Sequence, residues 1–320
     1  MIRHFLRDDD LTAEEQAEVL RRAAALKSAP FSDRTLDGPQ MVAVIFDKPT
    51  LRTQVSFAGA ITGLGGYPMI VDGNLAQIGT RESIADTARV IGRQAVAVVW
   101  RTHGQDRIEE MAEFAGVPVV NALTDDFHPC QILADLLTIT EHKGELAGLT
   151  VAYVGDGANN MAHSYLLGCA LAGMHLRIGT PESHLPSDDI RSRAEDLAAQ
   201  QGGSVAVVHD AAEAVKGADV VITDTWVSMG MEDQKGERQG AASPFAPFAV
   251  TESLMAQAAA DAIFLHCLPA YRGFEVEAAV IDGPQSVVWD EAENRLHAQK
   301  ALLSFLLDAS DTEDPGPESR

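Results

Sequence analysis

Along the chain, short apolar runs rich in Val and Ile alternate with stretches whose apolar residues recur every three or four positions. The runs have strand length, and the recurrence is that of a helix with one buried face. In the first half this predicts strands at Met41 to Phe46, Tyr67 to Val71, Val96 to Trp100 and Val117 to Asn121. The helices between them carry Phe57/Ile61/Leu64, Ile84/Ala88/Ile91 and Ile108/Met111/Ala115. A further helix is predicted from Gln131 to His142, ending at Lys143-Gly144. The pattern then restarts, with strands at Leu149 to Val154, Met174 to Ile178, Ser204 to Val208, Val220 to Thr223 and Ile263 to Leu265. Strands alternating with helices make parallel sheets covered by helices, so the expected class is α/β with two doubly wound domains. The divide is expected near Gly144 to Gly148, giving domains over 1–145 and 146–292. A last amphipathic helix over 293–308 is expected to complete the first domain, and 309–320 reads as a disordered acidic tail.

The polar residues that interrupt this pattern fall in one place. DKPTLRT follows the first strand, RTHGQ the third and DDFHPCQ the fourth, while GDGANN, DTWVSMG and HCLP follow strands of the second half. Ligands of open α/β sheets bind outside the carboxyl ends of the strands. Six such clusters therefore predict one active site, in a cleft between the two domains.

Charge sharpens what that site must do. The 320 residues hold 24 Lys and Arg against 47 Asp and Glu, a formal charge of −23. Such a field repels nucleic acid and anionic membrane, so neither is an expected partner and an anionic ligand needs a local cationic cluster. Cysteines stand only at 130, 169 and 267, with no CxxC spacing, which argues against a disulfide framework or a zinc site. The first residues, MIRHFLRDDDLTAEE, carry no apolar signal region, and no run approaches the ~18 apolar residues of a membrane span. A cytoplasmic address is expected.

The individual clusters each have a plain reading beside a functional one. Thr50, Leu51, Arg52 and Thr53 lie where a strand passes into a helix, so amide groups, hydroxyls and a guanidinium make an anion cradle, or Thr50 simply caps the helix. GDGANNMAHS lacks the final glycine of a dinucleotide fingerprint, since Asn160 stands there; a turn presenting Asn160 to a small polar ligand fits better. His128 and Gln131 flank a helix start, where a neutral imidazole can donate to a carbonyl oxygen, although a lone histidine is more often structural. Asp224, Ser228 and Met229 suit an ammonium on a short aliphatic stem. Cys267 reads as a wall or polar contact of the pocket: strand alternation would turn His266 to the opposite face, excluding both activation of the thiol and metal binding by the pair.

Taken together, these motifs resemble the ornithine carbamoyltransferases over almost the whole chain, from RHFLRDDDLT to ENRLHAQKALL. FDKPTLRT is similar to the family's carbamoyl-phosphate loop, usually written with STRT or SLRT, and FHPCQ, DTWVSMG, HCLP and ENRLH match its other signatures; aspartate carbamoyltransferases share only the first group closely. The resemblance implies a carbamoyl-phosphate-binding first domain and an ornithine-binding second domain. It implies that Thr50, Leu51, Arg52 and Thr53 hold the phosphate, that Arg101, His128 and Gln131 hold the carbamoyl group, and that Arg295 reaches in from the last helix. Gln77 would be donated by the neighbouring subunit of a homotrimer. Asn160, Asp224, Ser228 and Met229 would bind ornithine, with Cys267 and Leu268 beside the reacting amine. Of these, Arg52, Arg101, His128 and Cys267 are the expected catalytic set, with no metal, redox cofactor or covalent intermediate. The product would be L-citrulline, formed with phosphate.

Two positions depart from the family pattern. Gln54 stands where arginine is usual and Ala58 where glutamate is usual. Other amines, such as putrescine, lysine or a specialised-metabolite amino acid, remain alternative acceptors. A non-catalytic or NAD-linked doubly wound protein is the alternative from another class.

Overall fold

A computed structural model of the chain describes residues 2–227, 232–240 and 242–311. It forms two compact units, one from the first 133 residues completed from Arg295 onward, the other Ala134–Asn294.

The first unit holds β1 (Met41–Phe46), β2 (Tyr67–Asp72), β3 (Ala97–Arg101) and β4 (Val119–Leu123) in a parallel sheet of order β2-β1-β3-β4. Helix α1 (Ala13–Ser28) precedes the sheet, and α2 (Arg52–Gly63), α3 (Ile84–Ile91) and α4 (Gln105–Ala115) lie along the chain between its strands. Thr12 opens α1 with a reciprocal capping box to Glu15. Residues of β1 and β3 are buried almost throughout, as expected for central parallel strands. Before the sheet, Phe5 bonds to both Val119 and Asn121, adding a single bridge to the open side of β4. β4 lies two residues later than its apolar run suggested, because Pro118 has no N–H to give a ladder.

The second unit holds β5 (Thr150–Val154), β6 (His175–Gly179), β7 (Ser204–Val208), β8 (Val220–Ile222) and β9 (Ile263–Leu265), parallel in the order β7-β6-β5-β8-β9. Its longer helices are α6 (Asn160–Leu171) and α7 (Asp188–Gln201), with the short α8 (Ala211–Val215). Described residues of α6 past its first position are all buried, which matches its lack of a polar face. Helices α5 (Pro129–Lys143) and α9 (Val288–Asp311) each contain a point where one unit gives way to the other. Helix α9 begins before its expected start, with Asp290 and Glu291 favourably placed in its first turn. It also continues to Asp311, so 309–311 are helical instead of disordered tail; residues 312–320 lie outside the described set.

In both sheets strand order reverses once, between β1 and β3 and between β5 and β8. At such a switch the loops leaving two neighbouring strands diverge and open a crevice at their carboxyl ends. Phe46 pairs with Arg101, so the loops after β1 and β3 start level with each other. Tyr153 pairs with Ile222 in the second unit, setting the loops after β5 and β8 side by side. No described helix is long and apolar enough to cross a membrane.

Candidate active site

In the first unit the switch gathers positive charge. Lys48 and Arg101 are almost fully buried after β1 and at the end of β3, and Arg52 is half-buried at the start of α2. Lys48 pairs with Asp125. Leu51 occupies the N-cap of α2 with no side-chain cap, its own side chain 73% exposed; Thr50 Oγ1 reaches only the Thr53 amide, at 3.4 Å. The plain reading of Thr50 as a helix cap is thus weakly realised. Arg295, buried on α9, donates to Thr53 Oγ1 at 2.7 Å and to Gln131 Oε1 at 2.5 Å. These bonds join the first turn of α2 to the start of α5, and they are charge-assisted.

His128 lies immediately before α5, buried, and the Gln131 amide donates to its carbonyl at 3.0 Å. Burial, then Arg295, Arg101, Arg52 and Lys48 in turn, hold its imidazole well below the usual pKa of 6.5. The ring is neutral at physiological pH. Four cations acting on one buried neutral histidine, in a chain of charge −23, make a local site for an anion that also carries a hydrogen-bond acceptor. Cys130 beside it is buried, its thiol pushed far up by desolvation, and it donates to Asn121 O. It takes no part in acid–base work at neutral pH.

Gln77 ends a short turn, Gly73–Ala76, in the left-handed region at φ 54°, and is exposed. The amides of Thr80 and Arg81 both donate to its carbonyl at 3.0 Å. The next residue, Ile78, is buried in a core with Ile45, Ile84 and Trp100.

The second unit builds a contrasting, acidic site. Asn159 caps α6 and donates to Tyr153 Oη at 3.0 Å and to Asp224 Oδ2 at 3.4 Å; Asn160 follows as the first residue of the helix, half-buried. Asp224 is buried after β8, and desolvation raises its pKa while His266 opposes that rise. Cys267 Sγ donates to Asp224 Oδ1 at 3.2 Å. Desolvation, then Asp224, Glu291 and Asp135, push the Cys267 thiol well above its usual pKa, so it is protonated. A buried carboxylate is the electrostatic complement of an ammonium group. Ser228 and Met229 lie outside the described residues.

One expectation is overturned here. β9 ends at Leu265, so strand alternation no longer governs His266 and Cys267. Ligand atoms of Asp224, His266 and Cys267 lie within 4.8 Å of one another, so the pair is not split between opposite faces. What argues against metal ligation is chemistry. His266 Nδ1 accepts the Leu268 amide at 2.9 Å and its Nε2 faces Glu275 Oε1 at 3.3 Å, so both ring nitrogens are already engaged. Leu268 itself adopts φ 57°, an uncommon left-handed conformation for a branched residue, with its amide fixed by that histidine.

Sequence reasoning had singled out the residues after β1, β3, β4, β5, β8 and β9, and the structure places the described ones at those strand ends. Arg52, Thr53, Arg101, His128, Gln131 and Arg295 come together in the first unit; Asn160, Asp224, Cys267 and Leu268 lie at the strand ends of the second. Missed were Asn159, which donates to Asp224, and Asp47, Thr102 and Arg107. Asp47 and Thr102 stand one residue past β1 and β3, and that position was the available signal.

The carbamoyl-phosphate-binding domain model of the aspartate/ornithine carbamoyltransferases matches residues 3–141, and their Asp/Orn-binding domain model matches 147–306. An ornithine carbamoyltransferase of Clavibacter sepedonicus is 61% identical over 307 residues, 96% of this chain and 99% of that one. One of Mycobacterium ulcerans is 57% identical over 96% of this chain and 99% of its own length. Among solved structures, the ornithine carbamoyltransferase of Pyrococcus furiosus is similar with a TM-score of 0.89 at 43% identity, covering 96% of this chain and 97% of that one. The anabolic enzyme of Campylobacter jejuni gives 0.90 at 38% identity, covering 96% and 100%. With both domain models matched in order and relatives aligned over nearly its whole length, the chain belongs to the aspartate/ornithine carbamoyltransferase family.

Proposed function

We propose that this protein is an ornithine carbamoyltransferase in which the neutral δ-amine of L-ornithine attacks the carbonyl carbon of carbamoyl phosphate directly, giving L-citrulline and phosphate. The observation that carries the reading is the set of four cations acting on the buried neutral His128. Carbamoyl phosphate is a doubly charged anion whose carbonyl oxygen becomes an oxyanion as nitrogen attacks. Arg52, Thr53 and the first turn of α2 take the phosphate, with Thr50 and Leu51 contributing chiefly through backbone. Arg101, His128 and Gln131 take the carbamoyl group, and Arg295 orders Thr53 and Gln131 together. As the C–N bond forms and the C–O bond breaks, the proton lost by nitrogen balances the charge of the departing phosphate. Donors aimed at the developing oxyanion contribute roughly 3–4 kcal/mol each in comparable sites.

Asp224 and Asn160, with Ser228 and Met229, hold the amino-acid end of ornithine, and Cys267 and Leu268 border the amine. The protonated Cys267 thiol is a contact and positions Asp224; it forms no bond to the carbamoyl carbon. The reaction uses positioning and electrostatics, without metal or redox chemistry.

The active unit is a homotrimer in which Gln77 serves a neighbouring site. Support comes from apolar residues that the first unit leaves open to water: Leu51, Val55 and Leu75 are 73%, 63% and 84% exposed, and the open edge strand β2 shows Tyr67, Met69 and Ile70. The same reading puts the enzyme in the cytoplasm. An amine panel tests the substrate: ornithine, lysine, putrescine and aspartate with carbamoyl phosphate, each ureido product measured by mass spectrometry. Ornithine is expected to lead. Tenfold higher efficiency with another amine would overturn the assignment.

A further inference from the structure

Asp47 is the first residue beyond β1 and begins the loop that reaches Arg52. Its carboxylate is almost fully buried, and the groups around it come from the residue after β3, the first turn of α4 and the turn at Gly73–Ala76. Thr102 Oγ1 donates to Asp47 Oδ2 at 2.6 Å. Arg107, on the first turn of α4, donates through Nε to Thr102 Oγ1 at 3.0 Å and lies with Nη2 3.4 Å from Asp47 Oδ2. The same Nη2 donates to Ile78 O at 2.9 Å, one residue past Gln77. Asn74, from the turn that precedes Gln77, donates to Asp47 O at 3.1 Å, while the Asp47 amide donates to Arg101 O at 2.9 Å. Asp47 Oδ1 is packed so closely on Gly73 that a Cβ there would come within 1.8 Å of it.

A solvated surface carboxylate would have none of this. A buried one held by a hydroxyl and a guanidinium, on a residue whose own backbone is tied to Arg101 and Asn74, fixes these segments against one another, since losing any partner strands a buried polar group. The loop after β1 leads into Arg52, Thr102 follows Arg101 directly, and the turn at Gly73–Ala76 leads into Gln77. Arg107 also stacks over Trp100, its guanidinium 5.2 Å from the ring centre, which limits how far the tie can shift. A cavity of about 320 Å³ lined in part by Asp47, Gln77 and Arg107 lies beside it.

We infer that Asp47, Thr102 and Arg107 are positioning residues: together they set the phosphate-gripping loop after β1 and the Gln77 loop in register with Arg101. The inference rests on the carbamoyl-phosphate reading of that site. It predicts that a defect in the tie falls on the anionic substrate and spares the amino-acid substrate.

Thr102→Val keeps shape and removes the hydroxyl; Thr102→Ser keeps the hydroxyl. Gly73→Ala disturbs the same carboxylate from its other side. Amide hydrogen exchange across residues 73–82, inorganic phosphate affinity by calorimetry, and steady-state kinetics are measured for all three and the wild type. Thr102→Val and Gly73→Ala should exchange about tenfold faster at Gln77, Thr80 and Arg81, bind phosphate about tenfold more weakly, and show a KM for carbamoyl phosphate about tenfold higher with the ornithine KM within twofold. Thr102→Ser should stay within twofold of wild type throughout. Wild-type exchange in both perturbed proteins would overturn the inference, and so would faster exchange with unchanged phosphate affinity. If the wild type made no citrulline the functional reading would fall, while exchange and phosphate affinity would still decide whether the tie positions the anion grip.

Discussion

Replacing His128 by asparagine isolates the electrostatic cost of placing a neutral imidazole among cations. In the folded chain burial, then Arg295, Arg101, Arg52 and Lys48, hold its pKa well below 6.5; the unfolded chain titrates near 6.5. The folded state therefore binds fewer protons in this range, and its stability is intact above 6.5 and declines as pH falls below it. At about pH 5.5 the unfolded imidazole is ten parts protonated to one, a proton the folded site refuses. Complete exclusion of that proton sets an upper bound of RT ln(11/1.1), on the order of 1 kcal/mol, relative to about pH 7.5. Urea unfolding of wild type and His128→Asn at both pH values reads the difference. His4 and His184, whose pKa values burial also lowers, are present in both proteins and cancel. Wild type should lose more stability than the variant on acidification, by up to about 1 kcal/mol. Equal losses would mean that His128 is charged in the folded state, and the argument for a neutral donor to the carbamoyl oxygen would fall with it.

Arg52→Gln is expected to lower turnover on the order of a hundredfold, since it removes a charged donor to phosphate. Gln54→Arg with Ala58→Glu should leave the KM for carbamoyl phosphate within about threefold: the two positions are one turn apart on α2, and an exposed pair of this order contributes only ~0.2–0.5 kcal/mol. A tenfold gain in efficiency from Gln54→Arg alone would place position 54 in the site. Cys267→Ser should keep a donor to Asp224 and retain activity within about tenfold, whereas a covalent role would abolish it, so kinetics and intact mass after mixing with carbamoyl phosphate separate the two. Mixing inactive Gln77→Ala and Arg52→Ala proteins should restore activity after subunit exchange, because a hybrid interface can hold one intact site; a fully active monomer by light scattering would contradict the trimer.

Strand positions were legible because buried parallel strands are written as unbroken Val/Ile runs, and the site was legible because its polar residues interrupt that pattern at strand ends. Arg52, Arg101, His128 and Asp224 could be found that way. The start of α9 could not: Val287 and Val288 are β-branched, a type that favours strands, and only tertiary burial makes them the approach and first residue of a helix. Alternation predicts opposite faces for His266 and Cys267, but it holds only as far as Leu265, where the backbone leaves the strand. The tie of Asp47, Thr102 and Arg107 spans 60 residues of sequence, and Arg107 sits inside an amphipathic helix where a cation looks like ordinary surface.

The central claim is direct carbamoyl transfer to ornithine, and it is tested most directly by counting both products over time with the purified protein in excess chelator. Citrulline and phosphate should appear together in a one-to-one ratio from the first turnover, with no label retained on the protein when carbamoyl phosphate carrying a labelled carbon is supplied without ornithine. Phosphate released without citrulline, or a labelled protein, would contradict it.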